Sequence, residues 1–400
     1  MSKIVLWDDE NDCCACGACM IICPMDAVSM VEDDYGFIFP KINYSKCISC
    51  GKCLKICSYK KRIMKFENRL PLQSYAATSK DVQLENDSTS GGVFATLAKE
   101  FLKKDNYICG AVMHYTGGVL NVSHILTNNI YDLPKLQGSK YVQSNAWQSF
   151  LDIQKIISEG KYVLFCGTPC QVNAIRKLTG DSEYLYTIDL ICHGVPSLKM
   201  LQDFFSNFSK NLKISIKKFV FRDKECKRSW CSRVETKHGY KLYIHSRYIS
   251  YYQMFLEGAI YRKNCYNCPY ANMNRVGDIT IGDYWGIENC HKNEIEDGII
   301  DLNQIWSCII VNSEKGEKML SEFGSDLHLI PSRAKYIAKY NKQLNVPSNE
   351  PAERTSVLQL YETFGYKAVE KYYRKKNGGT IHFSWNMFKD IILNKRRADR

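Results

Sequence analysis

The sequence predicts an α+β protein with a small cysteine-rich N-terminal domain, a larger mixed α/β domain and a helical C-terminal tail. Three observations lead to this prediction: a four-cysteine run that occurs twice before residue 60, two strand–loop–helix units in mid-chain, and helical, basic sequence from about residue 350. Four hundred residues also exceed what one hydrophobic core usually holds. The predicted limits are 1–60 for the first domain, 61–75 for a charged connector, 76–330 for the second domain and 331–400 for the tail.

The first domain is predicted from the spacing of its cysteines. The chain reads Cys13-x2-Cys16-x2-Cys19-x3-Cys23-Pro24, and then Cys47-x2-Cys50-x2-Cys53-x3-Cys57. Two-cluster bacterial ferredoxins use this spacing, and the fourth cysteine of each run ligates the other cluster. We therefore expect two 4Fe–4S clusters, one on Cys13, Cys16, Cys19 and Cys57, the other on Cys47, Cys50, Cys53 and Cys23.

Structural zinc is the alternative for these runs, but it usually takes two Cys-x2-Cys knuckles separated by a longer loop. Cys14 is surplus, and we expect it to be a spectator. Gly17 and Gly51 follow the second cysteine of each run, where we expect the backbone to pass close to inorganic sulfide.

The composition is that of a soluble globular protein, with 45% hydrophobic and 24% charged residues. No apolar run approaches the roughly 18 residues of a membrane span, and acidic residues interrupt the N-terminus where a signal peptide would be apolar. We therefore expect a cytoplasmic protein. Nineteen cysteines in such a chain indicate metal binding or redox chemistry rather than disulfides.

The net charge of +12 is concentrated in the tail, where residues 331–400 carry 15 Lys and Arg against 6 Asp and Glu. Such a segment could meet nucleic acid, anionic lipid or an acidic protein, but a solvated helix face is the commoner use. We expect no nucleic-acid partner and at most peripheral membrane contact through this tail.

The second domain contains two strand–loop–helix units. The strand KYVLF (161–165) leads into a loop with Cys166 and Cys170, and YLYTIDLI (184–191) leads into a loop with Cys192 and His193. A helix follows each loop, so we expect parallel strands with both loops at their carboxyl ends, where open α/β sheets bind ligands. The sequence further predicts a helix after Ser90-Gly91-Gly92, a hairpin over 107–126 and a helix from Ser144 to about Ser158.

A third metal site is possible on Cys265-x2-Cys268-Pro269. Three interpretations remain open. Cys170 and Cys192 could complete a third 4Fe–4S cluster, Cys290 and His291 could complete a zinc site, or the thiols could be buried without a ligand.

Three stretches together carry a family resemblance: LFCGTPCQ (164–171), DLICHGVPS (189–197) and CYNCPYANMNRVGDITIGDYWG (265–286). SGGVF (90–94), GSKYVQS (138–144) and FRDK (221–224) support it. The chain resembles the beta-subunit family of hydrogenases and dehydrogenases that use the deazaflavin coenzyme F-420, with a ferredoxin run in front as in the longer, fused members. The resemblance implies an FAD-binding α/β domain that passes electrons between a reduced deazaflavin, or a similar hydride carrier, and iron–sulfur clusters.

A flavin dinucleotide needs backbone N–H groups and a helix N-terminus for its pyrophosphate. Ser90-Gly91-Gly92 and Gly167-Thr168 offer both, Lys140 could neutralise a phosphate, and His193 could relay a proton. A plain helix cap is the alternative for Ser90-Gly91-Gly92. No catalytic residue is assigned, and the full predicted cofactor set is Ser90, Gly91, Gly92, Lys140, Gly167, Thr168, Pro169, Gln171, His193 and Gly194.

Charged residues near these motifs have two interpretations. Asp278 and Asp283 could hydrogen-bond the flavin, or could pair with Arg275, which we favour. The segment Arg222-Asp223-Lys224 could bind an acidic coenzyme tail or form an ordinary strand end.

We therefore expect an iron–sulfur flavoenzyme whose partners are ferredoxin or another redox protein and a small-molecule hydride donor or acceptor. Bacterial relatives without deazaflavin tend to accompany surface-polysaccharide synthesis, which would imply a sugar-linked or lipid-linked substrate. The alternative is a non-catalytic electron-wiring subunit with clusters and no flavin. A zinc-bearing nucleic-acid module is a third class, and the ferredoxin spacing argues against it.

Overall fold

The computed structural model describes residues 4–57, 59, 71–116 and 119–398. Its N-terminal segment is ferredoxin-like, as predicted, and contains one antiparallel hairpin and two short helices. These elements are α1 (Ala18–Ile21), β1 (Val28–Glu32), β2 (Ile38–Ile42) and α2 (Lys52–Ile56). Gly17 and Gly51 precede the two helices with φ of 79° and 71°, so the duplicated sequence repeats one backbone geometry.

The remaining strands build two further sheets. They are β3 (Gln73–Ser79), β4 (Tyr107–Thr116), β5 (Val119–Thr127), β6 (Val163–Gly167), β7 (Leu185–Leu190), β8 (Ile216–Val220), β9 (Cys231–Thr236), β10 (Lys241–His245), β11 (Ile279–Asp283), β12 (Ser307–Val311) and β13 (Leu327–Pro331). Eight of them form a mixed sheet in the order β13-β3-β12-β11-β7-β6-β4-β5, and β10-β9-β8 form a small antiparallel sheet.

The centre of the large sheet is parallel. The strands β4, β6, β7 and β11 run in one direction, and Val163 lies opposite Leu185 in the β6–β7 register. Both strands are almost wholly buried, as expected where helices cover a parallel sheet. The prediction that the loops after β6 and β7 share one edge of the sheet is confirmed.

The helices outside the ferredoxin-like segment cover these sheets and form the tail. They are α3 (Val82–Asn86), α4 (Val93–Leu102), α5 (Leu133–Leu136), α6 (Trp147–Ser158), α7 (Pro169–Thr179), α8 (Leu198–Leu212), α9 (Ser250–Leu256), α10 (Ile287–Cys290), α11 (Lys292–Glu296), α12 (Glu314–Phe323), α13 (Ala334–Tyr340), α14 (Arg354–Phe364), α15 (Tyr366–Lys376) and α16 (Thr380–Ala398). None of the helices in the described part of the chain is long and apolar enough to cross a bilayer.

Two predicted boundaries differ from the observed ones. The helix expected to start at Ser144 begins at Trp147, because the carbonyl and hydroxyl of Ser144 accept hydrogen bonds from Gln171 at 3.0 and 3.1 Å. Strand β3 begins at Gln73, inside the predicted connector, most of which lies outside the described residues. The domain limits therefore stay a prediction.

The tail is packed against the body of the protein. Val357, Tyr366 and Tyr373 of α14 and α15 share an aromatic-rich core with Phe204 of α8 and Tyr251 of α9. The basic tail is thus part of a folded layer, and its helices α14, α15 and α16 agree with the helical tail that the sequence predicted.

Candidate metal centres and the cavity between them

The first group of thiols combines the first cysteine run with the last cysteine of the second run. Burial, with a smaller effect of the neighbouring thiols of Cys16 and Cys57, raises the pKa of Cys13 to about 11. The pKa of Cys19 is raised by burial and by the same neighbours. The four thiols are therefore close together, as the exchange of the fourth ligand between the runs predicts, and a bound metal would displace their protons.

The second group surrounds a cavity of about 340 Å³ lined by all four remaining cysteines of the runs, Cys23, Cys47, Cys50 and Cys53. Apolar side chains such as Val28 and Ile42 line the rest of it. Burial raises the pKa of Cys53, and Cys23 and Cys47 add to this effect. Cys23 thus lies with the second run although it belongs to the first.

The third group lies at the carboxyl edge of the parallel strands, in a cavity of about 810 Å³. Cys170 is in the first turn of α7, Cys192 follows β7, and Cys265 and Cys268 lie in and after a short 3-10 turn, Lys263–Asn267. All four line the cavity. Burial raises the pKa of Cys192 well above its ordinary range, and the other three thiols add to the effect. The four residues predicted for a third cluster are therefore brought together.

Cys14 joins the first and third groups. Cys14 lies in one packed cluster with Cys16 and Cys170, and the interaction with these two thiols, together with burial, leaves the pKa of Cys14 strongly raised. The same contact, followed by a hydrogen bond from Thr168, lowers the pKa of Cys170 to about 7. Cys14 and Cys16 both line the 810 Å³ cavity. A residue expected to be a spectator is thus the physical link between two candidate centres.

Across residues 4–57, 59, 71–116 and 119–398, no three His, Cys, Asp or Glu side chains converge as one metal ion would require.

The zinc alternative for the third site is contradicted. The Nε2 atom of His291 lies 3.1 Å from the Tyr284 hydroxyl and 2.9 Å from Oγ of Ser332. Cys290 packs in the same region, in a core with Trp306, and neither residue lines the thiol-rich cavity. The structure therefore does not bring Cys290 and His291 into the cavity that Cys265 and Cys268 line.

The predicted cofactor residues fall into two places. Thr168, Pro169, Gln171, His193 and Gly194 line the 810 Å³ cavity, and Gly167 precedes them at the end of β6. Thr168 and Gln171 form a capping box at the start of α7. The C-terminal edge of the sheet thus presents these residues to the thiol groups.

Ser90, Gly91, Gly92 and Lys140 lie elsewhere and do not form a pyrophosphate cradle. The amide of Gly91 donates to Oγ of Ser307 at 2.9 Å, and Gly92 caps α4. The ammonium of Lys140 donates to three carbonyl groups at the end of α5, at 2.8 to 3.1 Å. These donors are used within the protein, which agrees with the helix-cap interpretation.

The charged residues of the FRDK segment are also paired. Arg222 binds Asp283 and lies over the rings of Trp230 and Trp285, at 5.0 and 5.7 Å from their centroids. The partner of Asp223 is Arg233, and that of Lys224 is Glu85. A strand end stabilised by ion pairs explains these residues without a ligand.

The expected pairing of Arg275 with Asp278 or Asp283 is wrong. Arg275 donates to Asp189 at 2.8 Å, and both side chains are buried. Asp278 instead accepts from the amide and hydroxyl of Thr187, at 2.8 and 2.7 Å. The strand β7 thus supplies the partners, because it lies beside β11 in the sheet.

Sequence reasoning missed the residues that hold the first cysteine run against the second domain. Arg262 donates to the carbonyl of Cys13, Gln143 donates to that of Cys14 at 3.0 Å, and Trp147 donates to that of Ala15 at 3.4 Å. Arg262 is 1% exposed. In the sequence, Arg262 lies shortly before the Cys265-x2-Cys268 motif, and this position was the signal that could have identified it.

Comparison with known proteins agrees with the resemblance. Residues 160–331 match the family described as the C-terminal part of the beta subunit of coenzyme F420 hydrogenase/dehydrogenase, and residues 12–63 match the 4Fe-4S dicluster domain. No curated protein matches the chain. A chain of the F420-reducing [NiFe] hydrogenase complex from Methanosarcina barkeri, in a xenon-derivatised structure, aligns with 16% identity over 76% of this chain and 97% of that chain, at a TM-score of 0.46.

Proposed function

Because this chain joins a 4Fe–4S dicluster domain to the C-terminal domain of the coenzyme F420 hydrogenase/dehydrogenase beta subunits, we propose that it is an iron–sulfur oxidoreductase with three clusters. Electrons would pass between a two-electron donor or acceptor at the 810 Å³ cavity and a one-electron partner such as ferredoxin. The two clusters of the N-terminal segment would be held by Cys13, Cys16, Cys19, Cys57 and by Cys23, Cys47, Cys50, Cys53. The third would be held by Cys170, Cys192, Cys265 and Cys268.

One observation carries this proposal: Cys14 packs in one cluster with both Cys16 and Cys170. Cys16 belongs to the first group of thiols and Cys170 to the third, so two clusters held there would be neighbours. Single-electron transfer requires such proximity between centres. With this arrangement, electrons would pass through the N-terminal segment between the cavity and a partner protein.

Residues of the second domain would hold the ligands of the clusters in place. Arg262 holds the backbone at Cys13, and Tyr59 donates to the carbonyl of Asn264 at 2.8 Å beside the Cys265 knuckle. Buried apolar groups around the thiols lower the local polarity, and burial is one of the factors that set a cluster's reduction potential. His193 lines the same cavity and is a polar group available to a bound substrate.

FAD is the two-electron group that the resemblance implies, and we propose it on that basis alone. Ser90, Gly91, Gly92 and Lys140 do not fit the predicted cradle, because the Gly91 amide and the Lys140 ammonium already donate within the protein. The same observation favours a second candidate function, a wiring subunit with clusters and no flavin. A deazaflavin or a sugar-linked or lipid-linked substrate would then be handled by a partner.

An elemental and spectroscopic analysis of anaerobically purified protein tests the proposal. Iron, zinc and flavin are measured on one sample. We expect about twelve irons per chain, four for each cube. One FAD per chain would support the flavoenzyme, and iron without flavin would support the wiring subunit.

Variants of the third site complete the test. Cys265→Ser should lower the iron content by about four per chain. Cys290→Ser is the matched control, since Cys290 lies outside the cavity, and should leave the iron content unchanged. About eight irons in the wild type, with no loss in Cys265→Ser, would overturn the third cluster. Zinc without iron would overturn the whole assignment.

A further inference from the structure

The last helix of the chain, α16, has two chemically different faces. Phe383, Met387, Asp390 and Asn394 point into the protein and are at most 7% exposed. Ile381, Trp385, Phe388 and Ile392 are between 39% and 88% exposed. Each set follows the spacing i, i+4, i+7, i+11, which places its members on one side of a helix. The two sets lie on nearly opposite sides, so the exposed set forms an outward apolar stripe.

Polar contacts fix which face points outward. Asp390 accepts from the amide of His245 at 2.9 Å and forms an ion pair with Arg228. Asn394 donates to the carbonyl of Tyr243 at 3.3 Å. Because these contacts tie the inner face to strand β10, the helix cannot rotate to bury the stripe without breaking them. The exposure of the stripe is therefore built into the fold.

The charged side chains of α16 also differ between its inner and outer faces. Asp390 is the one acidic residue between Thr380 and Ala398, and it is buried on the inner face. Lys389 and Lys395 are exposed beside the stripe, and Lys389 Nζ lies 5.0 Å from the ring centroid of Trp385. The outward face therefore combines apolar and cationic groups and carries no carboxylate.

We propose that the stripe docks onto an anionic lipid surface. An interfacial helix buries Trp, Phe and Ile at the boundary between head groups and acyl chains, and its lysines interact with anionic head groups. Trp385 suits that boundary because its ring is apolar and its N–H can reach water or head groups. The net charge of +9 over residues 331–400 favours the same surface. The proposal is independent of the redox function.

Co-sedimentation of the full-length protein with vesicles tests the proposal. The vesicles contain equal parts of phosphatidylglycerol and phosphatidylcholine, and pure phosphatidylcholine vesicles are compared. We expect partitioning onto the mixed vesicles that weakens with salt. The double variant Trp385→Ser/Phe388→Ser should lower the partition coefficient about tenfold or more. The double variant Lys389→Glu/Lys395→Glu should lower it about tenfold.

Tyr131→Ser is the matched control, since Tyr131 is an 84% exposed aromatic residue outside the tail. It should bind vesicles as the wild type does. Iron content shows that each variant is folded, because the stripe lies apart from the proposed cluster ligands. Failure of the wild type to bind the mixed vesicles, or equal binding by the stripe variant, would overturn the proposal. So would self-association that Trp385→Ser/Phe388→Ser abolishes, because the stripe would then be an interface between copies.

Discussion

Arg262 donates through Nη2 to the carbonyl oxygen of Cys13 at 3.1 Å and thereby ties the second domain to the first cysteine run. Its guanidinium also lies over the ring of Phe39, 4.3 Å from the centroid. A buried cation costs free energy unless it is well bonded. Here carbonyl acceptors and an aromatic face provide the bonding, so Arg262 holds the ferredoxin-like segment in place.

Replacement of Arg262 by methionine should therefore loosen that contact. Methionine fills part of the volume but leaves the Cys13 carbonyl without its donor. We expect a loss of about 1.5–3 kcal/mol in stability, the range for hydrogen bonds to charged groups, together with a lower iron content. Thermal unfolding and iron analysis measure both. Arg333→Met removes an exposed arginine instead and should change stability by less than about 0.5 kcal/mol. Equal effects of the two changes would contradict this role of Arg262.

If each cluster takes its fourth ligand from the other cysteine run, the iron losses of two particular cysteine variants should not add. Cys16→Ser and Cys57→Ser should each remove the same cluster, because both thiols belong to the first group. The double variant should then lose about four irons, as each single variant does. If each run held its own cluster, the double variant would lose about eight. Iron counts on the three proteins decide between the two arrangements.

The two repeated glycines should differ in their tolerance of alanine. Both have φ near +70 to +80°, so a side chain costs about 1–2 kcal/mol in either position. At Gly51 an added Cβ meets nothing within 4 Å, whereas at Gly17 it would lie 2.1 Å from Cδ1 of Trp147. We expect Gly17→Ala to be clearly more destabilising than Gly51→Ala in thermal unfolding. Equal melting temperatures would show that Trp147 does not constrain this turn.

His124 should make the protein sensitive to mild acid. Burial lowers the pKa of His124 to about 4, and its Nε2 lies 3.1 Å from the carbonyl oxygen of Cys166. The unfolded chain has a histidine pKa near 6.5. Between these values the unfolded state binds the extra proton, so stability falls as the pH drops from about 6.5 to about 4.

The variant His124→Gln should remove this pH dependence while keeping a side-chain donor. Over the full interval the wild type should lose up to about 3 kcal/mol relative to the variant, at about 1.36 kcal/mol per pKa unit. Melting temperatures measured at several pH values for both proteins provide the comparison. His328→Gln replaces an exposed histidine and should keep the dependence. Parallel curves for the wild type and His124→Gln would disprove the effect.

Part of this architecture could be predicted because it depends on local spacing. The repeated cysteine runs indicated a dicluster domain, and the matching dicluster domain and the paired turns at Gly17 and Gly51 agree with it. Hydrophobic residues at helical spacing likewise predicted α4, and the repeated strand–loop–helix pattern predicted the parallel strands β6 and β7. Cysteine spacing, turn residues and short apolar runs are properties of neighbouring residues, so one sequence is enough to read them.

Long-range pairing could not be predicted in the same way. The sequence did not show that Cys14 would touch Cys170, that Arg275 would choose Asp189 over Asp278, or that Lys140 would cap α5 instead of facing a ligand. Each of these depends on the order of strands in the sheet and on how the ferredoxin-like segment is docked. The sequence alone determined which residues can bind metal, and the tertiary structure decided which of them meet, because contacts between distant residues depend on the packing of the whole chain.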